Sequence, residues 1–299
     1  KLIFPKFIIP PSKNISRNFY NTKTEISLNY DYQDRPDYTG NTFSGYFGYQ
    51  WDALKRPVQH KLNILQINQT NIDKSPEFQD YLNDLNNAII SATYSDNFIV
   101  STKYILTLNN QIKPNQFNVL FTRFTLQQAG NVLYFFNKIL NSKVNDNGQF
   151  ELAGLPYAQF VKTEIDFRNY YQFNKKNTFA YRFDVGVAVP LSNLDAIPFT
   201  EAFFVGGSNS IRAWRSRTLG PGSFFDSTGV ESYDKVADVK LDMSIEYRFN
   251  LINIIDIGLF VDAGNIWFLP KEGLSKKSPS VFNINRFYKE IAIGTGVGL

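Results

Sequence analysis

The sequence contains no cysteine and a single histidine, His60. Without thiols the chain cannot form disulfides, cysteine nucleophiles or thiolate metal sites. One histidine cannot supply a two-histidine metal site, and His60 follows Arg56 and Pro57 at the start of a predicted strand, which indicates a structural role. The GxSxG, P-loop and helix-opening GxGxxG motifs are also missing. We therefore predict no catalytic residues, no cofactor and no metal site.

Charge and long apolar runs are scarce as well. The net charge is only +4, from 31 basic and 27 acidic residues, and no basic stripe is present, so we expect no nucleic-acid partner. The longest apolar stretch, 251–268, is broken by Asp256, Asp262 and Asn265, which argues against a transmembrane helix. Residues 1–11 lack the apolar core of a signal peptide, so any signal is expected upstream.

Aromatic residues and alternating patterns are abundant instead. The chain has 28 Phe, 17 Tyr and 3 Trp, and apolar residues alternate with polar ones over long segments. The alternation is strong in 22–32, 39–51, 159–173, 177–189 and 239–249, and weaker in 60–68, 97–109, 117–128, 256–268 and 289–299. A period of two residues indicates β-strands with one apolar and one polar face. The fold class is therefore all-β, with about ten strands.

The length of these segments favours a membrane over water. The alternative interpretation is a soluble barrel or sandwich, but strands in sandwiches usually run for about five or six residues, whereas strands of about ten match a tilted bilayer crossing. We therefore predict a transmembrane antiparallel β-barrel with its apolar face toward lipid. The charged residues expected to face the lumen are Lys162, Glu164, Asp166, Arg168, Arg182, Asp184, Lys240, Asp242 and Glu246.

Short and long connections alternate along the chain, as in outer-membrane barrels. Within the long connection 69–96, Ser75, Pro76 and Glu77 match a helix N-cap, a first-position proline and a first-turn acid. Phe78, Tyr81, Leu82 and Leu85 follow on one face. This pattern predicts a short amphipathic helix packed over the extracellular mouth.

A second long connection contains Gly206–Ser223, here named the arginine loop. It places Arg212, Arg215 and Arg217 between Gly206-Gly207 and Gly220-Pro221-Gly222. Guanidinium groups stay charged at any working pH, so a loop that holds them in place needs acidic or phosphate partners. The alternative is a solvated loop that meets anionic lipid headgroups, the role we expect for Arg215 and Arg217.

The run FFVGGSNSIRAWRSRTLGP, followed by SIEYRF (244–249) and FVDAGNIW (260–267), resembles the sixth extracellular loop and the next two strands of the BamA/TamA outer-membrane assembly superfamily. The TamA-like (TamL) branch is the best match. Ala213 and Trp214 stand where the family has glycine and phenylalanine. The resemblance implies that the loop folds into the lumen and that its arginine pairs with acids on the wall. The implied structural loop-to-wall motif is Gly206, Gly207, Arg212, Trp214, Gly220, Pro221, Glu246 and Asp262.

The resemblance also implies a barrel of the sixteen-stranded BamA/TamA type, of which this chain would hold roughly strands five to fourteen. Residues 1–299 would then be a partial transmembrane barrel domain without the periplasmic POTRA domains, the first strands and the last two strands. We accordingly expect the strand near 22–32 to pair with a strand outside this sequence.

The function implied is that of an outer-membrane assembly or translocation factor of a Gram-negative bacterium, which inserts or exports β-barrel clients through a lateral seam. Membrane lipids, outer-membrane protein clients and periplasmic or inner-membrane assembly partners, bound through the missing domains, are the expected partners. Two alternatives remain open: a barrel that anchors or secretes a hydrolase fused upstream, and a phospholipid conduit between the membranes.

Overall fold

The computed structural model describes residues 1–8, 19–53, 57–84, 88–111, 116–224, 234–252, 255–271 and 274–298. Among these residues the strands are β1 (Leu2–Phe4), β2 (Phe19–Asp34), β3 (Tyr38–Ala53), β4 (Val58–Lys74), β5 (Asn97–Asn109), β6 (Asn118–Ala129), β7 (Glu151–Leu152), β8 (Leu155–Pro156), β9 (Phe160–Asn174), β10 (Asn177–Pro190), β11 (Val239–Ile252), β12 (Ile255–Trp267) and β13 (Ala292–Gly298). The helices are α1 (Pro76–Asp84), α2 (Ala88–Thr93) and α3 (Asn131–Ile139), with a 3₁₀ turn at Phe287–Lys289.

Eleven strands form one sheet in the order β1-β2-β3-β4-β5-β6-β9-β10-β11-β12-β13, and β7 pairs with β8. Neighbours in the sheet are also neighbours along the chain, which is the up-and-down order that hairpin connections produce. All ten predicted strands are confirmed. The last is shorter than predicted, because residues 287–289 form the 3₁₀ turn before β13.

Strand β1 corrects one expectation. Leu2 pairs with Ile26 and Phe4 with Thr24, so part of β2 has a partner within this chain rather than outside it. Three residues are too few to show an alternating pattern, and the sequence therefore contained no signal for this strand.

The two faces of the long strands differ as predicted. On β10 the side chains of Tyr181, Phe183, Val187 and Val189 are 38%, 41%, 36% and 41% exposed, whereas Asp184 between them is 2% exposed. None of the nine charged residues predicted on the polar face is exposed. The alternation of residues along each strand therefore correctly predicted that the apolar side chains are exposed and the charged ones are buried or half-buried.

Helix α1 is confirmed with its predicted cap. The backbone N–H of Phe78 donates to the Ser75 hydroxyl oxygen at 3.2 Å. Phe78, Tyr81 and Leu82 are buried, and the Phe78 ring lies 5.2 Å from that of Tyr94. Leu85, also predicted on this face, is outside the described residues. Helix α3 was missed, since its apolar residues were taken as part of a loop.

By internal packing the chain divides into two compact units. One comprises residues 1–106, 125–163 and 188–201, and the other residues 107–124, 164–187 and 202–299. The arginine loop and strands β11 to β13 all belong to the second unit. Among the described residues no helix has both the length and the apolar character needed to cross a membrane.

The apolar face is predicted to contact lipid, and Val185 on β10 tests this. Val185→Arg should lower the free energy of unfolding from the bilayer by about 2–4 kcal/mol if the residue lies near the midplane, because a charge there must leave water. Urea titration in vesicles measures the change, and Val185→Leu is the matched control. Equal stability of the two variants would contradict a lipid-facing Val185.

Candidate functional site

The arginine loop folds back on itself before it reaches the sheet. The N–H of Gly207 donates to the carbonyl of Trp214 at 2.8 Å, and the N–H of Arg217 donates to that of Val205 at 3.0 Å. Gly206 has a φ of 96°, and a Cβ there would lie 2.3 Å from the carbonyl oxygen of Arg215. Only glycine therefore fits this crossing of the two loop arms.

The tip of the loop places Arg212 on β11 and β12. Its Nη2 and Nε groups donate to the two carboxylate oxygens of Asp262 at 2.7 and 2.8 Å, and its backbone N–H donates to the same carboxylate at 3.0 Å. Its Nη1 donates to Glu246 at 2.7 Å, and Nη2 also contacts the Ser244 hydroxyl at 3.2 Å. The guanidinium carbon lies 3.3 Å from the centroid of the Phe260 ring.

This geometry matches a planar guanidinium and no other side chain. Bidentate pairing with Asp262, a second carboxylate and a stacked ring need a fork of donors in one plane, which lysine lacks. The Asp262 side chain is 0% exposed, so its charge depends on Arg212 and on the Ser244 hydroxyl, which donates to it at 2.7 Å. Hydrogen bonding to Asp262 raises the pKa of Arg212 above its ordinary value, so the guanidinium is charged at every working pH.

A second arginine, Arg182, binds the loop from the strand side. Arg182 on β10 donates to the backbone carbonyl of Asn209, and to Asp184 at 2.6 Å and Asp242 at 3.3 Å. The Ser210 hydroxyl hydrogen-bonds Asp242. The loop tip is thus tied to the strands at two places. The sequence indicated a ladder of acids and bases here, but not the contact between Arg182 and the loop.

Lysine and arginine side chains link the remaining acids of this face. Lys240 donates to Glu164 at 2.5 Å and to Asp184 at 2.8 Å, and Arg168 pairs with Asp166 at 2.5 Å. Ion pairs of this kind join β9, β10 and β11 side by side. In the other unit Lys162 and Glu201 form a similar pair at 3.4 Å.

Glycines on β13 provide the space that the tip occupies. A Cβ on Gly294 would lie 2.6 Å from the Cβ of Ala213, and one on Gly296 would lie 2.4 Å from the Phe260 ring. Both residues share one face of β13. Sequence reasoning missed them and Phe260; the available signal was the spacing of glycines two residues apart in GTGVG.

The far end of the loop is anchored on β12. Gly220 and Pro221 are buried, and the Asn265 side chain donates to the carbonyl of Gly222 at 2.9 Å. The Trp214 ring lies over Gly294, where a Cβ would approach it to 3.4 Å. All eight residues predicted for the motif therefore lie in the arginine loop or in the two strands beneath it.

The other two arginines of the loop differ from each other. The guanidinium of Arg217 lies 3.9 Å from the Phe204 ring centroid and 3.9 Å from Asp234, so it has partners within the protein, and its contact with headgroups stays a prediction. Arg215 is exposed. Its contact with headgroups stays a prediction. Among the described residues no cluster of three or more His, Asp or Glu side chains could hold a metal ion.

The profile of the Omp85 superfamily domain matches residues 5–299. The chain belongs to the Omp85 superfamily. It is 32% identical over 103 residues to the outer membrane protein assembly factor BamA of Neisseria meningitidis serogroup B, a segment that covers 33% of this chain and 13% of the relative. Its fold matches the crystal structure of Haemophilus ducreyi BamA lacking POTRA domains 1–3, with a TM-score of 0.65 and 14% identity over 99% of this chain and 54% of that one.

These matches confirm the predicted superfamily, the β-barrel fold of the BamA type and the location in the Gram-negative outer membrane. The family and the named relative place the chain, at the family level, among outer-membrane protein assembly factors. The chain spans about half the length of the solved BamA structure, by the 54% covered. The TamA-like branch and the missing segments stay predictions.

Removing the Arg212 side chain tests how much its contacts with Asp262 and Glu246, here named the arginine clamp, stabilise the fold. Arg212→Ala should lower the free energy of unfolding by about 2–3 kcal/mol, because it leaves the buried carboxylate of Asp262 without a cation. The free energy of unfolding of Arg212→Lys should lie between those of the wild type and Arg212→Ala. One ammonium group keeps the charge but cannot replace the several donors and the planar surface of the guanidinium. Urea titration in vesicles gives the difference, with exposed Arg215→Ala as the control. Equal losses for Arg212→Ala and Arg215→Ala would show that the clamp contributes no stability.

The space under the loop tip gives an independent test. Gly294→Ala should displace the tip, since the new methyl group overlaps Ala213, and should cost about 1–3 kcal/mol. Gly298→Ala on the same strand is the control, because the nearest atom to a Cβ there is at 4.0 Å. Faster proteolysis of the loop only in Gly294→Ala is expected; identical digestion of both variants would refute the close approach.

Proposed function

We propose that the chain acts in inserting or exporting β-barrel client proteins across the outer membrane, through a lateral seam between barrel strands. The observation that carries this proposal is the docking of Arg212 on Asp262 and Glu246 in an Omp85 barrel. The motif has no role in covalent chemistry. Its role here is mechanical, because it holds a loop against two strands that must not separate.

The physical argument concerns where the barrel opens. A seam that accepts an incoming strand exposes backbone donors and acceptors, and these pair with the client by edge addition. Opening at one seam requires that the rest of the wall stays closed. Arg212 and Arg182 with their acids add cross-links on the covered face of β10, β11 and β12, so strain from opening is directed to other strands.

The partners follow from this role. Outer-membrane protein clients would occupy the seam, and membrane lipids would contact the exposed apolar face. Periplasmic or inner-membrane assembly partners would bind domains outside this chain, in a complete barrel of sixteen strands. The two alternatives, an anchor for an upstream hydrolase and a phospholipid conduit, differ from this proposal in their cargo.

Reconstitution of the whole protein into vesicles tests the proposal with both cargoes. We expect wild-type protein to accelerate the folding of an unfolded β-barrel client, followed by its heat-modifiable gel mobility. Arg212→Ala should slow client folding roughly tenfold, which corresponds to about 1.4 kcal/mol of activation free energy. Arg215→Ala should leave the rate unchanged.

Fluorescent phospholipid transfer between vesicles is measured in the same samples. Lipid transfer that depends on Arg212, with no acceleration of client folding, would contradict the proposal and support a phospholipid conduit. If the protein affected neither client folding nor lipid transfer, the proposal would be contradicted and the anchor for an upstream hydrolase would be the remaining alternative.

A further inference from the structure

Helix α3 presents an apolar stripe to the surroundings. Val132, Phe135, Phe136, Ile139 and Leu140 are 56%, 62%, 54%, 59% and 72% exposed. They follow the spacing i, i+3, i+4, i+7, i+8, which places them on one side of a helix. In a globular protein such a stripe faces the core, whereas here it faces outward. The structure must therefore be completed by an apolar surrounding on this side.

The other side of α3 is already used. Asn137 donates to the Tyr157 hydroxyl at 3.1 Å, the Tyr134 ring lies 5.5 Å from that of Phe150, and Gln159 donates to Asn131 at 3.1 Å. Docking through polar and aromatic groups fixes the rotation of the helix. Contacts within the protein therefore set the outward direction of the stripe.

The position of α3 joins the stripe to the apolar face of the sheet. The helix begins two residues after β6 ends, where Gly130 has a φ of 69° and its N–H donates to the Val100 carbonyl at 2.9 Å. A Cβ on Gly130 would lie 2.4 Å from the carbonyl oxygen of Ala158, so only glycine allows this turn. Leu126, near the end of β6, is 41% exposed on the lipid side.

Charges flank the stripe in the arrangement of a membrane-surface helix. Lys138 in the last turn and Lys143 beyond it are both exposed. Helices that lie in the membrane interface combine a stripe of Phe, Leu and Ile with lysines that reach phosphate groups. The connection that contains α3 is one of the long connections, which in outer-membrane barrels lie on the extracellular side.

We propose that α3 lies in the lipid surface of the outer leaflet, with Phe135, Phe136 and Ile139 among acyl chains and Lys138 near headgroup phosphates. The occupant of the stripe is thus the lipid that already contacts the apolar face of the strands. The helix would fix the height of this barrel edge in the membrane.

The absence of cysteine makes a site-specific test simple. Single-cysteine variants Phe136→Cys, Val187→Cys and Asp146→Cys of the whole protein are labelled with an environment-sensitive fluorophore and reconstituted into vesicles. Val187 on the apolar strand face is the lipid reference, and exposed Asp146 in the same connection is the water reference. Heat-modifiable mobility verifies that each variant is folded.

We expect lipid-bound quenchers to act about threefold more strongly on the label at position 136 than on that at 146, since interfacial helices bury their stripe roughly 5–10 Å deep. Adding Lys138→Gln should reduce this quenching in anionic vesicles only. Quenching of position 136 by aqueous iodide as efficient as that of 146 would overturn the proposal. Shielding from both quenchers would overturn it as well, because the stripe would then be covered by protein.

Discussion

The pairing of Arg212 with Asp262 is the interaction on which the site depends. A carboxylate that is 0% exposed cannot remain charged without a cation and hydrogen-bond donors to replace water. Arg212 supplies two side-chain donors and one backbone donor, and Ser244 supplies another. Because the donors belong to the loop and to β11 and the acceptor Asp262 belongs to β12, the charge of Asp262 ties the three segments together.

The rest of the site packs around this pair because glycines on β13 lack side chains and leave space for it. Gly294 and Gly296 leave room for Ala213 and the Phe260 ring, and the guanidinium carbon of Arg212 lies 3.3 Å from the centroid of that ring. Arg182 then binds the carbonyl of Asn209, which fixes the loop on the side away from Asp262. Loop and wall each contribute an arginine to the other, so sliding of the tip in either direction breaks a charge-assisted hydrogen bond.

The two apolar surfaces of the molecule have a common physical origin. Long strands with a period of two expose aromatic and aliphatic side chains on one face, and α3 exposes an apolar stripe with a period of 3.6. Polar groups are in both cases turned toward protein partners, as Asn137 toward Tyr157 and Asp184 toward Arg182 and Lys240. Both surfaces are apolar and exposed, as the lipid contact predicted for the strands and proposed for α3 requires.

The sequence by itself determined the ten long strands, the parity of their faces, helix α1 with its Ser75 cap, and the residues of the arginine loop. These features depend on local periodicity and on the conformational limits of single residues, which a sequence displays directly. It did not reveal β1, which is too short for a pattern, or α3, whose apolar stripe was taken as part of a loop. Only the tertiary structure decided that Arg182 reaches Asn209, that Phe260 stacks on Arg212, and that Gly294 and Gly296 lie beneath the tip. Those contacts join residues up to 81 positions apart, the separation of Ala213 and Gly294. Their partners are set by strand register and loop path rather than by spacing along the chain.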